Sequence, residues 1–147
     1  MRNILFDKII DGEIVNISRV CNLISIQINS SNKQSISLHI QSFFRILDEN
    51  NIVIASSEDV YRPATADSAE HFSWDVPGQS IFDKSINDCK LELLMGKIKH
   101  VQENDIGDLV ICIDNGYKLQ ILIDTTVAEE KYRLFDVNEE FVFINRN

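Results

Sequence analysis

The chain has 147 residues, 44% of them hydrophobic, and a formal net charge of −9. This length predicts one domain with one substantial core, and the acidic balance argues against nucleic acid as a partner, because phosphate binding needs a basic surface. The start of the chain lacks a signal-peptide pattern, and no apolar run reaches the roughly 18 residues of a membrane span, so we expect a cytoplasmic protein that does not cross a membrane.

The first part of the chain is predicted to be a short helix followed by strands. Beyond Gly12 the apolar period falls to two, as in strands whose side chains point alternately to core and solvent. The clearest strand places Ile24, Ile26 and Ile28 on one side. A polar reversal at residues 48–51 is typical of a tight turn. The predicted elements are a helix at 4–10 and strands at 13–19, 23–29, 35–44 and from 52 onward.

An irregular linker at residues 61–79 breaks this pattern. It contains both prolines of the chain and its only tryptophan, Trp74. A connection this long without periodicity is uncommon inside a domain and often carries function. We therefore expect it to join two strand-rich parts and to be a place for a binding surface.

One amphipathic helix follows the linker. Ser80 and Asp83 have the spacing of a capping pair, which satisfies free N–H groups of the first helical turn. Apolar residues then recur every three or four positions, which predicts one buried face. Gly96 is expected to end the helix in the left-handed conformation that glycine adopts without strain. The apolar positions are Ile81, Phe82, Ile86, Cys89, Leu93 and Leu94.

Strands return after the helix. Asn115-Gly116 is the strongest hairpin signal in the chain, and we predict a turn in which both residues have positive φ. The predicted strands are 97–102, 108–114, 117–124, 132–135 and 141–144.

The order of elements is similar in residues 1–60 and 80–147. Arg45-Ile-Leu-Asp48 resembles Arg133-Leu-Phe-Asp136, and we match Leu23-Ile-Ser-Ile to Leu109-Val-Ile-Cys. We interpret the halves as a duplication, although such alternation also arises independently in strand-rich proteins. The predicted fold is a single α+β domain of mainly antiparallel sheet, with about 8–10 strands, one central helix and a short N-terminal helix. If the repeat is real, its two halves are helix-plus-meander units that bury their apolar faces against each other.

No metal-binding or nucleophilic motif stands out. The three histidines do not pair with cysteines at ligand spacings, so we predict no metal and no cofactor. The cysteines are odd in number and lie in apolar surroundings, so we predict reduced core residues rather than disulfides or nucleophiles. These residues are His39, His71, His100, Cys21, Cys89 and Cys112.

Charged residues in turns have two interpretations. Arg45 and Arg133 either bind an anion or brace their own hairpins by a bidentate contact. Neighbouring acids either supply acid–base pairs or are solvated turn charges. The structural interpretation is the commoner one in both cases. The acidic pairs are Glu58-Asp59, Glu129-Glu130 and Glu139-Glu140.

The candidate binding face lies at the linker. Tryptophan is over-represented among interface anchors, although a loop tryptophan also commonly plugs the edge of a core. Trp74 is flanked by acidic residues, and loops can be shaped without disturbing a sheet. We predict a partner-binding face composed of Glu58, Asp59, Glu70, Trp74 and Asp75.

Three segments carry a resemblance to known proteins: Leu38-His-Ile-Gln-Ser-Phe-Phe-Arg45, Ser56-Ser-Glu-Asp-Val-Tyr61 and Gly78-Gln-Ser-Ile-Phe-Asp83-Lys. The chain resembles a group of small uncharacterised bacterial proteins with strings of the type LH-x-Q…R, S-x-D-x-Y and G-x-S-x-FD. In size and composition it is also similar to immunity proteins of bacterial contact-dependent inhibition and polymorphic-toxin systems. That resemblance implies a protein that acts by binding and has no active site.

The expected function is therefore that of a non-enzymatic acidic binding protein, most concretely an immunity protein that neutralises a toxin. Its partner would be a basic protein, for example a toxin nuclease domain, because complementary potentials speed encounter and suppress wrong partners. One alternative is a small-ligand-binding protein or enzyme with a pocket between the halves, lined by His39, Arg45 and Asp59. Another is a structural subunit that assembles through a sheet edge.

Overall fold

The computed structural model of the chain describes residues 4–65, 70–136, 138 and 142–145. Within them it confirms the predicted α+β class with mainly antiparallel sheet. The strands are β1 Glu13–Val20, β2 Leu23–Asn29, β3 Ser35–Ile40, β4 Phe43–Leu47, β5 Val53–Ser56, β6 Ile98–Glu103, β7 Leu109–Ile113, β8 Lys118–Leu122, β9 Tyr132–Asp136 and β10 Val142–Asn145. The helices are α1 Ile81–Met95 and two 3₁₀ helices, Ile4–Ile9 and Ser57–Tyr61.

Each of the two sheets combines strands from both halves of the chain. Sheet A has the order β1-β2-β3-β9-β10, and sheet B has the order β5-β4-β8-β7-β6. Each half thus contributes a three-stranded meander to one sheet and a two-stranded hairpin to the other. The two halves therefore interlock through these exchanged hairpins, an exchange that the sequence did not predict.

The exchange happens where the chain leaves sheet A after Ile40 and enters sheet B at Phe43. The N–H groups of Gln41 and Ser42 both donate to the carbonyl of Lys131, at 2.8 and 3.1 Å. The predicted single strand 35–44 is therefore wrong, since these two residues bond to the chain entering β9 instead of continuing a ladder. The polar pair Gln41-Ser42 interrupts the apolar alternation for only one step, so the sequence gives little signal of the break.

The two meanders have the same register, including their irregularities. β1 has a bulge against β2 between Ile14 and Asn16, and β6 has a bulge against β7 between Ile98 and His100. An extra residue in a strand increases its twist, so the two edge strands twist at equivalent points. A duplication would explain this agreement, and it stays a hypothesis.

In the predicted repeat, the match of Leu23-Ile-Ser-Ile to Leu109-Val-Ile-Cys is shifted by one residue. Ile24 pairs with Ile40 in sheet A, and Leu109 pairs with Ile121 in sheet B, so Ile24 is the structural equivalent of Leu109. Both are buried, whereas Leu23 lies on the other face of its strand. A shift of one residue exchanges the two faces of a strand, which is why the sequence match of Leu23 with Leu109 is wrong.

A single hydrophobic cluster joins the two sheets and the helices. Helix α1 packs against β1, β5 and the 3₁₀ helix Ser57–Tyr61. The N-terminal 3₁₀ helix contacts β6, and the ring of Phe6 lies edge-on to Phe143 of β10 at 5.4 Å. The helical segments therefore cover corresponding edges of the two sheets. None of the helices in the described ranges has the length and apolar character required to span a membrane.

Helix α1 starts and ends where predicted, but the conformation of Gly96 at its end differs from the prediction. Ser80 and Asp83 form a capping box in which each side chain accepts from the other's backbone N–H. Gly96 has φ −95° and ψ 162°, an extended conformation rather than the left-handed one. Glycine is needed there for space, because a Cβ atom would lie 2.2 Å from Cγ2 of Ile113.

The two predicted tight turns also differ in outcome. At residues 48–51 the Asp48 carboxylate accepts from the N–H groups of Asn50 and Ile52, and Asn51 has φ 62°, as expected of a polar reversal. In the β7–β8 turn only Gly116 has positive φ, and its N–H donates to the carbonyl of Ile113. The predicted pair of positive φ angles is wrong because this loop is longer than two residues.

We predict that Gly96→Ala lowers the free energy of unfolding by about 1–3 kcal/mol, because the new methyl group overpacks the site against Ile113. Urea denaturation followed by circular dichroism would measure the loss. Met95→Ala is the control, since the Met95 side chain is 85% exposed. Equal stability of Gly96→Ala and the parent protein would contradict the packing argument.

Candidate functional site

The linker places an aromatic pair on the surface. The rings of Tyr61 and Trp74 lie 5.0 Å apart, and the residues are 46% and 39% exposed. Val20 and Val76 are also exposed, at 68% and 47%. We call Tyr61, Trp74 and the adjacent linker residue Val76 the aromatic patch. Trp74 therefore does not act as a plug buried in the core edge, since it stacks on another exposed ring.

Arg19 of β1 fixes the linker under this patch. Its side chain is 1% exposed, and Nη1 donates to the carbonyls of Cys21 and Trp74 at 2.8 and 2.7 Å. Nη2 donates to the carbonyl of Val76 at 3.1 Å. One guanidinium thus holds the β1–β2 turn and the linker together.

Asp83 neutralises this arginine. Nε and Nη2 of Arg19 donate to the two carboxylate oxygens at 2.7 and 2.8 Å, the bidentate geometry that makes such pairs strong. Oδ2 also accepts from the N–H groups of Gly78 and Ser80. Burial alone would raise the pKa of Asp83, but the hydrogen bonds from Arg19, Ser80 and Gly78 outweigh it and hold the pKa well below its usual range.

The predicted acidic residues lie around the patch unequally. Glu58 is exposed and lines a polar recess of about 130 Å³ with Tyr61. Asp75 is exposed next to Trp74, and its carboxylate accepts from Ser73 Oγ at 2.7 Å. The charge of Asp59 is partly compensated, because the guanidinium of Arg62 lies 3.5 Å away. Glu70 is exposed at the start of the described part of the loop, and the described contacts do not connect it to the patch.

Sequence reasoning missed several residues of this surface. Arg19 interrupts an apolar alternation at a core-facing position, and that is a usable signal, because a buried arginine requires partners. Tyr61 and Asp124 had no such signal, since they lie far apart in sequence and meet at the polar recess only through the fold.

The cysteines occupy three different environments. Cys89 is buried, and burial raises its pKa to about 11, so its thiol is not a nucleophile at neutral pH. Cys112 is half-buried on the outer face of sheet B. Cys21 is exposed with φ 53° in the β1–β2 turn, so its prediction as a core residue is wrong. The turn conformation, not the apolar pattern, decides its position.

The other candidate residues have structural partners. Arg45 Nε donates to Gln120 on the neighbouring strand at 2.6 Å, and Arg133 donates to Glu130 at 2.7 Å. Neither braces its own hairpin, so that detail is wrong, while the structural interpretation accounts for both. Burial lowers the pKa of His39, and the positive charge of Arg133 lowers it further, so the ring is uncharged at neutral pH. Glu139-Glu140 lies outside the described residues.

The described residues contain no group of three or more histidine, cysteine, aspartate or glutamate side chains placed to hold a metal ion. Comparison with models of known protein families, with curated proteins and with solved structures finds no match to this chain. The resemblance to immunity proteins therefore stays a hypothesis, and function has to be argued from the surface itself.

We predict that Asp83→Asn lowers the free energy of unfolding by about 3 kcal/mol at pH 7, because it leaves the buried Arg19 charge uncompensated. The pKa of Asp83 is depressed in the folded protein, so its contribution is complete above the unfolded value of about 3.9 and is lost as the pH falls below that value. Urea denaturation at pH 7 and pH 3 should show the difference from the parent protein shrinking at pH 3.

Asp88→Asn is the matched control for this change. Asp88 lies on the same helix and accepts from Lys84 at 2.7 Å, but both side chains are largely exposed, so its loss should cost no more than about 0.5 kcal/mol. Equal effects of the two substitutions would show that the Arg19–Asp83 pair has no special role.

Arg19→Lys should loosen the linker around Trp74. A lysine cannot reproduce the bidentate contact and three carbonyl contacts of the guanidinium. Because Trp74 is the only tryptophan, its fluorescence reports the linker directly. We expect a red-shifted emission and stronger quenching by acrylamide, with no such change in Arg45→Lys on the outer face of sheet B. Unchanged Trp74 emission in Arg19→Lys would show that the linker is held by other contacts.

Proposed function

We propose that this chain is a non-enzymatic binding protein that captures a basic protein partner through the aromatic patch and the acidic residues beside it. The most concrete form is an immunity protein that neutralises a toxin domain, for example a nuclease with a basic substrate groove. The observation that carries the proposal is the exposed Tyr61–Trp74 pair on a linker held in place by Arg19.

The composition of the patch supports protein binding. Tyrosine and tryptophan bury large rigid surfaces at low entropic cost and dominate the energy of interfaces. The Arg19 contacts order the linker before a partner arrives, so binding does not have to pay for ordering it.

The charges indicate the kind of partner. Glu58 and Asp75 flank the patch as exposed carboxylates, and the chain as a whole carries −9. Such a surface attracts a basic partner at long range and disfavours acidic ones. A basic groove that normally binds phosphate groups is a complementary surface, which is why a nuclease domain is the preferred example.

The pocket predicted from His39, Arg45 and Asp59 and the assembly through a sheet edge have less support. The three residues do not converge on one pocket: His39 lies edge-on to Phe135 of sheet A, Arg45 bonds to Gln120 of sheet B, and Asp59 faces Arg62. Edge-to-edge assembly is disfavoured at β1 and β6 because each of these edge strands contains a bulge, a device that hinders pairing with another strand.

Affinity capture from the organism that encodes the chain, followed by calorimetry with the purified partner, would test the proposal. We expect a one-to-one complex with a basic protein whose toxic activity is abolished. Trp74→Ala should weaken it by about 30-fold, or about 2 kcal/mol, while Met95→Ala, which removes an exposed apolar side chain elsewhere, should change the affinity by less than about twofold.

Charge-reversal variants distinguish long-range electrostatic attraction of the partner from direct contact with it. Glu58→Lys with Asp75→Lys should slow association and weaken its salt dependence, whereas Asp105→Lys in the β6–β7 turn should have a much smaller effect. A partner that binds all these variants equally, or a captured complex with an acidic protein, would contradict the proposed surface.

A further inference from the structure

A groove of about 370 Å³ runs between strand β1 and helix α1. We call it the β1–α1 groove. Its apolar wall is formed by Ile17 of β1, Pro77 of the linker, and Phe82 and Ile86 of α1. Small-molecule sites are typically concave, mostly apolar and about 300–1,000 Å³ in volume, with a few polar groups that orient the ligand. The groove has this character and lies between the two halves of the chain.

The two ends of the groove differ in charge. At one end, Arg19 and Asp83 neutralise each other, and all five N–H groups of the guanidinium are already used. At the other end, Lys90 and Asn87 border the groove from α1. Lys84 on the same helix pairs with Asp88, whereas Lys90 makes no ion pair in the described part of the chain. The groove therefore offers one available cation and one amide beside an apolar wall.

We propose that the β1–α1 groove binds a small amphipathic carboxylic acid, with its apolar chain against Ile17, Phe82 and Ile86 and its carboxylate at Lys90. The ammonium group supplies the charge-assisted hydrogen bond that an anionic headgroup requires, and the Asn87 amide supplies a second donor. A cationic amphiphile would meet Lys90 with like charge. The local charge selects an anion although the protein is acidic overall, because charges beyond about 8–10 Å are largely screened at physiological salt.

The length of the groove indicates the size of the acid. Asp83 and Lys90 are seven residues apart on α1, so the helix rises about 10 Å between them. An extended chain of about eight carbons covers that distance. Octanoate is therefore the probe of choice. This site does not depend on the proposed capture of a basic protein, since it uses different side chains from the aromatic patch.

Amide NMR titration with sodium octanoate, below the concentration at which it forms micelles, tests the site. We expect saturable shifts concentrated at Ile17, Ile86 and Lys90, and at least a tenfold weaker response to octylammonium. Lys90→Glu should weaken octanoate binding by about tenfold or more, because it replaces the attractive charge by a repulsive one. Lys90 is exposed, so this variant should keep the fold, which thermal unfolding would verify.

Lys84→Glu is the matched control, because it makes the same charge change on the same helix outside the groove and should alter binding by less than about twofold. Three results would overturn the proposal: no saturable shift with octanoate, equal binding of octanoate and octylammonium, or equal weakening in the Lys84 and Lys90 variants. None of these results bears on the aromatic patch, whose own test uses a protein partner.

Discussion

The buried guanidinium of Arg19 connects strand β1 to two segments that follow more than fifty residues later in the chain. Strand β1, the irregular linker and the first turn of α1 meet at its five N–H groups. A buried charge is costly unless it is paired and hydrogen-bonded, so the linker conformation that completes these contacts is strongly preferred over others. The aromatic patch on one side and the β1–α1 groove on the other both depend on that choice.

The internal symmetry of the fold shows that this arrangement is specific to one half. By register, Arg19 at the end of β1 corresponds to Glu103 at the end of β6, since their partners Ile24 and Leu109 are equivalent. Glu103 accepts from the buried Tyr132 hydroxyl of β9 at 2.8 Å, and burial raises the pKa of that phenol. The equivalent position thus contacts the linker and the helix from sheet A, and strand β9 of the opposite sheet from sheet B.

Local signals predicted the fold well and its connectivity poorly. The Ser80–Asp83 capping box, the Asp48 turn and the apolar face of Ile24, Ile26 and Ile28 follow from short-range patterns that tertiary structure leaves unchanged. The transfer of the chain between sheets at Gln41 depends on a carbonyl ninety residues later, which no local period reports. The binding face was predicted only in part for the same reason. Trp74 is recognisable in the sequence as an unusual loop residue, but Tyr61 can be identified as its partner only from the contact between the two rings.

The position of the patch also explains why an irregular linker can serve as a precise surface. A flexible loop would lose conformational freedom on binding, and that loss would offset much of the energy gained by burying its aromatic rings. Here the carbonyls of Trp74 and Val76 are already bonded to Arg19, and Tyr61 already supports the indole ring. The side chains remain exposed while the backbone beneath them is fixed. The linker therefore combines the variability of a loop with the rigidity of the strand and helix on either side of it.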